Sequence, residues 1–174
     1  YMSLWQSSLM RMMGAPTGPV AEPRLHTVPV HVQQVSLQLQ PGHSLLQALV
    51  LALPARCNSA VLRLHGAALA PFAYVMPALS ATAEHAVYFS GRFDAPGTVQ
   101  LIEASATYGR RAGQPWLHCH ARWTDADGTA HCGHVLPDDA ILATPMAGTA
   151  WPLDGAVFEV LPDAGTGFTL FKPQ

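Results

Sequence analysis

The chain has 174 residues, of which 49% are hydrophobic and 11% charged, and its formal net charge is −2. That length favours one domain, and that charge excludes a general attraction to a polyanion such as nucleic acid. Charge is sparse beside the roughly 25% of an ordinary soluble protein, so burial of apolar surface in an oligomer is expected.

The first stretch, YMSLWQSSLMRMMGAPTGPVAEP, is Met-rich and then Pro- and Gly-rich. Its apolar residues are too few and too interrupted for a signal segment or a membrane span. Residues 1–27 therefore read as an N-terminal extension, flexible or packed on a partner, ahead of a single domain over 28–174. VPVHVQQVSLQLQ alternates apolar and polar residues through Val30, Val32, Val35, Leu37 and Leu39. The even step fails between Val32 and Val35, which predicts a bulge or a strand break there. Pro41-Gly42 stops the strand. Ser44 can cap a helix over SLLQALVLAL that ends before Pro54, and Leu45, Leu46, Leu49, Val50 and Leu53 make its buried stripe.

SAVLRLHGAALAPFAYVMP reads as a strand, a bend centred on Gly66, and another strand. HAVYFSGRF and GTVQLIEASATYG are further strands. After them come the run LHCHARWTDADGTAHCGHV, then AILATPMAGTAW, AVFEVLP and FTLFKP. Roughly seven to nine strands and one main helix result. Strands do not alternate with helices, so a doubly wound parallel sheet is excluded and an α+β domain with an antiparallel or mixed sheet is expected.

One run carries a chemical suggestion. His118 and His120 are two apart, so on a strand they leave from the same face. Asp125-Ala126-Asp127-Gly128 turns the chain back. With a three-residue loop and Gly128 left-handed, Asp125 faces Thr129 and His120 faces His134. All three imidazoles then project together, while Leu117, Cys119, Ala121, Trp123 and Val135 form the opposite, apolar face. A loop one residue longer or shorter would place Cys119 against His134 and dismantle the group. Three imidazoles suit a borderline divalent cation, zinc first, and leave a further position for water, a substrate or a fourth side chain. The competing reading is a set of histidines hydrogen-bonded in an interface.

Cys132 shares the histidine face and is a candidate fourth ligand. Glu103 lies inside an apolar strand, where a carboxylate needs a partner, either the histidine site or an Arg; a surface place at a strand end is the alternative. His65, beside Gly66, is a candidate pocket-lining residue. His131 falls on the apolar side near Trp123. Asp125 and Asp127 suit turn chemistry better than acid–base chemistry. Arg110-Arg111 is too small a basic spot for DNA. No nucleophile elbow, phosphate loop or dinucleotide fingerprint is present. Cys57, Cys119 and Cys132 are odd in number and irregular in spacing, which points to free thiols in a reducing cytoplasm.

Three stretches together resemble the plants-and-prokaryotes-conserved (PPC) domain of AT-hook proteins. PGHSLLQALVLAL followed by SAVLRLHGAALAPFAYV resembles its opening. SGRFDAPGTVQLIEASATYG resembles its Gly-x-Phe-Glu strand region, with apparent extra residues. HCHARWTDADGTAHCGHVLPDDAILAT resembles its H-x-H, D-x-x-G, G-G-H-L series. The resemblance spans about Val28 to Lys172. It implies an α/β sandwich-like domain that forms homotrimers, and a metal, usually zinc, on the positions of His118, His120 and His134. Plant members bind DNA through separate AT-hooks; this chain has no Arg-Gly-Arg-Pro hook, and Gly91-Arg92-Phe93 belongs to the strand motif. Cys132 replaces the first Gly of G-G-H, and His43-Ser44 replaces an acidic pair. Three functions follow as expectations: a trimeric metal-binding module for assembly or small-ligand binding, a metal-dependent enzyme using bound water, and a DNA-associated regulator.

Overall fold

A computed structural model describes residues 25–79, 87–163 and 168–174. The segment expected to be an N-terminal extension lies largely outside them. In chain order the elements are β1 (His31–Val32), β2 (Val35–Leu39), α1 (Leu45–Ala52), β3 (Ala60–Leu69), β4 (Ala73–Val75), β5 (Pro77–Leu79), β6 (Val87–Phe89), β7 (Phe93–Asp94), β8 (Val99–Arg111), β9 (Gln114–Thr124), β10 (Ala130–Val135), β11 (Met146–Asp154), β12 (Phe158–Pro162) and β13 (Thr169–Pro173). Eleven strands form one open sheet with the path β1-β11-β3-β8-β9-β10-β4-β7; β2 joins β11, and β12 joins both β8 and β13. β5 and β6 form a separate ribbon. Only the β8–β12 pairing is parallel among the described residues. The sheet is thus mixed and mostly antiparallel with one helix, as expected, but the strands exceed seven to nine. The extra ones are pieces of two or three residues, such as β1, β5 and β7, too short to show a period of two.

The helix begins where its cap allows. The Ser44 hydroxyl accepts the Gln47 N–H at 3.2 Å, and the Gln47 amide oxygen accepts the Ser44 N–H at 3.4 Å. This reciprocal pair satisfies two amides that the first turn leaves open. Leu53, ahead of Pro54, takes an extended backbone and ends the helix. Leu45, Ala48 and Leu49 are buried against the sheet. Full burial of a side chain like Leu49 contributes about 2–3 kcal/mol. Val50 does not belong to the buried stripe expected of it: it is 41% exposed, beside Leu51 at 70%. The buried stripe runs instead through Leu45, Ala48, Leu49 and Leu53.

β3 corrects a second expectation. It runs from Ala60 to Leu69 without interruption, so Gly66 is not a bend between two strands. It is the point where the pleat changes phase. Leu62 and Leu64 are buried before it, Ala67 and Leu69 after it. Gly66 has φ +65°, a conformation that side chains rarely tolerate. β8 changes phase beside it: its register on β9 slips by one between Leu101 and Glu103. Such a bulge redirects side chains. Here it puts His65 and Glu103, which face each other across β3 and β8, on the open side of the sheet. A third difference lies in β11, which starts at Met146 instead of near Ala140 and continues through Pro152 to Asp154. Ile141 and Leu142 make only isolated bridges, to Ser44 and Leu69.

The core lies on the helix side of the sheet. Trp123 is 1% exposed and meets Phe72 and Tyr74 edge-on, with ring centroids 4.8 Å away in each case. This aromatic cluster underlies the β9–β10 hairpin. Across the same hairpin, Gly133 is tightly enclosed: a Cβ there would stand 3.1 Å from the Met76 sulfur and 3.2 Å from Trp123 and Tyr74, closer than side chains usually pack.

Candidate metal centre

The β9–β10 turn takes the expected form. The Asp125 N–H donates to the Thr129 carbonyl at 3.0 Å, the Gly128 N–H donates to the Asp125 carbonyl at 3.1 Å, and Gly128 has φ +80°. The Asp125 carboxylate accepts the backbone N–H groups of Asp127 at 3.0 Å and Thr129 at 2.9 Å, closing the loop. His131 Nε2 lies 2.8 Å from the other carboxylate oxygen, and the His131 ring stacks over Trp123 with centroids 6.0 Å apart. His131 is therefore engaged on the core side of the hairpin.

Counting from that turn, His134 pairs with His120 across the ladder, and Cys132 pairs with Arg122. Leu117, Cys119, Ala121, Trp123 and Val135 are buried, while His118, His120, Arg122 and Cys132 are exposed and His134 is half-buried. His118, His120 and His134 each offer one nitrogen, and the three atoms lie within 4.8 Å of one another. Ring centroids are 4.7 to 5.2 Å apart. Among the described residues this is the one group of three or more potential ligands that converges in this way.

The donor chemistry suits a divalent ion. Two nitrogens on a tetrahedral zinc with bonds near 2.0–2.1 Å stand about 3.3 Å apart; His134 Nδ1 lies 3.5 Å from His120 Nε2, and the three donor atoms together lie within 4.8 Å, so a shared ion would draw the rings closer. Imidazoles ligate as neutral rings. Loss of water around His134, together with its His118 and His120 neighbours, pushes its pKa down to about 4. Crowding by protein atoms, and then His120, lowers that of His118. Phe89 lies against the His134 ring, centroid to centroid 4.8 Å, and limits its swing.

The other candidates sit nearby but apart from the trio. A cleft of about 400 Å³ opens on this face and includes His120, His134, Cys132, Glu103, Arg122, Arg63 and Ser105 in its lining. Cys132 shares the face as the register requires, without joining the converging atoms. Glu103 pairs with Arg122 at 3.2 Å, so the Arg partner considered for it is the one found. His65 is exposed opposite Glu103, outside the cleft lining. Arg63, Ser105 and Phe89 were not singled out from the sequence. Arg63 carried a usable signal, since it alternates with the buried Leu62 and Leu64 and so had to face outward.

Three further arginines have partners. Arg110 bonds the Asn58 side-chain oxygen, Arg111 stacks on Trp116 at 4.7 Å, and Arg92 bridges Asp94 at 2.7 Å and Asp139 at 2.9 Å.

No protein-family model matches the sequence, and no match is found among curated proteins. Solved structures do match. A metal-containing protein from Archaeoglobus fulgidus superposes with a TM-score of 0.67 at 15% identity, covering 85% of this chain and 99% of that one. A plant- and prokaryote-conserved protein from Pyrococcus horikoshii gives 0.64 at 14% identity, covering 85% and 97%. A candidate DNA-binding protein from Ralstonia eutropha JMP134 gives 0.57 at 16% identity, covering 79% and 89%. At these identities the likeness establishes the fold. The chain has the plant- and prokaryote-conserved fold, the one its sequence resembles.

Proposed function

We propose that this protein is a metal-binding module of the PPC fold, with His118, His120 and His134 as ligands and a divalent cation, zinc first, as the cofactor. The observation that carries the reading is the convergence of three imidazole nitrogens within 4.8 Å on an open face. The metal-containing Archaeoglobus protein of the same fold supports it. When bound, such an ion supplies Lewis acidity and a position for an outside ligand. The chain's own part is to hold the rings. The turn at Asp125 sets the register, Phe89 restrains His134, and the packed Trp123 face keeps the strands rigid.

Binding is favoured over catalysis by the surroundings. Glu103 is the one carboxylate in the cleft lining, and Arg122 already holds it, so no free general base stands beside the trio among the described residues. A metal-dependent enzyme is the second reading, supported by the solvent-open cleft. DNA association is a third, carried over from the Ralstonia neighbour. Homotrimeric assembly is part of the proposal, supported by the low charge and by exposed Val50, Leu51, Val61 and Trp116. Cytoplasmic residence is proposed from the three free thiols. No helix of the described residues is long and apolar enough to cross a membrane.

The test is metal analysis of purified protein beside His118→Ala. About one ion per chain in the wild type and none in the variant is expected; equal content in both removes the site. Light scattering tests the assembly, and a monomer at micromolar concentration contradicts the trimer. Salt-dependent retention of DNA at physiological ionic strength would bring the third reading forward.

A further inference from the structure

The register of five strands sets the open face in rows. One row runs Thr149, Arg63, Ser105, His120, His134 across β11, β3, β8, β9 and β10. The next runs Ala147, His65, Glu103, Arg122, Cys132. In the second row charge is balanced, because Glu103 holds Arg122. In the first it is not. Among the described residues no carboxylate pairs with Arg63. Its neighbours in the row are hydroxyls, then imidazoles.

Arg63, Ser105, His120 and His134 line one cleft. Its volume of about 400 Å³ lies within the range of small-molecule sites. The Cα atoms of Arg63 and His120 are two strand spacings apart, roughly 10 Å. A ligand of a few heavy atoms is of the size to span the gap between the guanidinium and the imidazole nitrogens. The row thus offers a forked cationic donor at one end, a hydroxyl in the middle and two of the three histidines, His120 and His134, at the other; His118 lies two residues earlier on β9, opposite Thr107 and outside the cleft lining. The row itself holds no carboxylate; Glu103 of the next row lines the same cleft, with Arg122 paired to it at 3.2 Å. An unpaired guanidinium is matched in geometry by two oxygens on one atom.

We infer that this cleft binds a small oxyanion, a carboxylate or a phosphate, with Arg63 gripping one group while another oxygen occupies the open position over His118, His120 and His134. The inference rests on the metal reading and adds the ligand class to it. Arg63 is the specificity-determining residue, and Ser105 is placed to donate to the same ligand.

The experiment uses the full chain loaded with cobalt(II), whose visible absorption reports anions entering the coordination shell. Wild type, Arg63→Ala and Arg63→Lys are titrated separately with inorganic phosphate and with malonate, after metal content has been measured for each. Expected is saturable binding of at least one anion by the wild type. Arg63→Ala should weaken it roughly tenfold to a hundredfold at unchanged metal content, and Arg63→Lys should restore part of it. Equal affinity in the wild type and Arg63→Ala, or no binding of either anion, overturns the inference and leaves the metal site standing. Loss of the metal itself in Arg63→Ala overturns it by assigning Arg63 to the ion. A wild type that takes up no metal fails both readings, and the metal measurement alone reveals that. A short DNA duplex that displaces phosphate with the same Arg63 dependence overturns the small-ligand assignment in favour of a nucleic-acid backbone.

Discussion

The two faces of the β9–β10 hairpin are built from alternate residues of the same strands. On one, Leu117, Cys119, Ala121, Trp123 and Val135 are buried. On the other, His118, His120, Arg122 and Cys132 are exposed. Neighbours in sequence thus belong to different problems. The inner face is close-packed, so its residues are read as stability. The outer face is more open, with His118 and His120 exposed and only His134 half-buried under Phe89, so core packing does not account for three converging histidines there. The inner face also serves the outer one, because a strand held rigid from below fixes the direction of the rings above.

The sharpest way to break this division is from below. Trp123→Ala removes the aromatic centre of the cluster with Phe72 and Tyr74. A loss of about 3–5 kcal/mol is expected, with a Tm fall on the order of 10 °C for a chain this long. Thermal unfolding by circular dichroism reads it. Metal uptake should survive in whatever fraction stays folded.

From above, His120→Ala should do the reverse. Stability of the chelator-treated protein should change by no more than about 0.5 kcal/mol, as for a surface substitution. Metal content should fall from about one ion per chain to none, read by atomic absorption after dialysis. If Tm without metal falls as far as in Trp123→Ala, the outer face is structural and the division fails.

How much of this was legible in the sequence depends on the range of the contacts involved. The hairpin was legible because everything that sets it is local: Asp125 and Gly128 fix the turn, and a period of two separates the faces. The helix start was legible for the same reason, since Ser44 and Gln47 are three residues apart. The phase change at Gly66 was not, because a bulge is a property of a pair of strands, and its partner Leu101–Glu103 lies some thirty-five residues away. The place of Arg63 beside the site is hidden from the sequence for a related reason. Its outward direction is local, but its place in line with His120 requires the β3–β8 and β8–β9 registers together. Val50 departs from the expected stripe because helical spacing gives the width of a stripe and not the depth to which the sheet covers it.

A smaller and more selective change lies at the edge between the faces. Gly133→Val drives a side chain into Met76, Trp123 and Tyr74, which already stand 3.1–3.2 Å from a first carbon. The expected cost is about 1–3 kcal/mol, and because His134 follows directly, metal affinity should fall along with Tm. Cys132→Ser, one residue earlier and facing out, should alter neither. Loss of metal in Cys132→Ser with Tm unchanged would make the thiol a ligand after all.

The smallest expected effect is at the turn, where both faces begin. The His131 imidazole and the backbone N–H groups of Thr129 and Asp127 hold the Asp125 carboxyl below its ordinary value. A carboxyl that binds its proton more weakly folded than unfolded adds stability above its unfolded pKa, near 3.9. That addition disappears as pH falls through the lower folded value. Asp125→Asn should therefore lower Tm slightly and evenly between about pH 5 and pH 7, by less than Gly133→Val does. Below about pH 4 the wild type should converge on the variant. A difference that widens in acid would mean that the folded carboxyl binds its proton more tightly, against the contacts described; no difference at any pH would mean that the turn is held by its backbone alone and that the register of the three histidines owes nothing to this side chain.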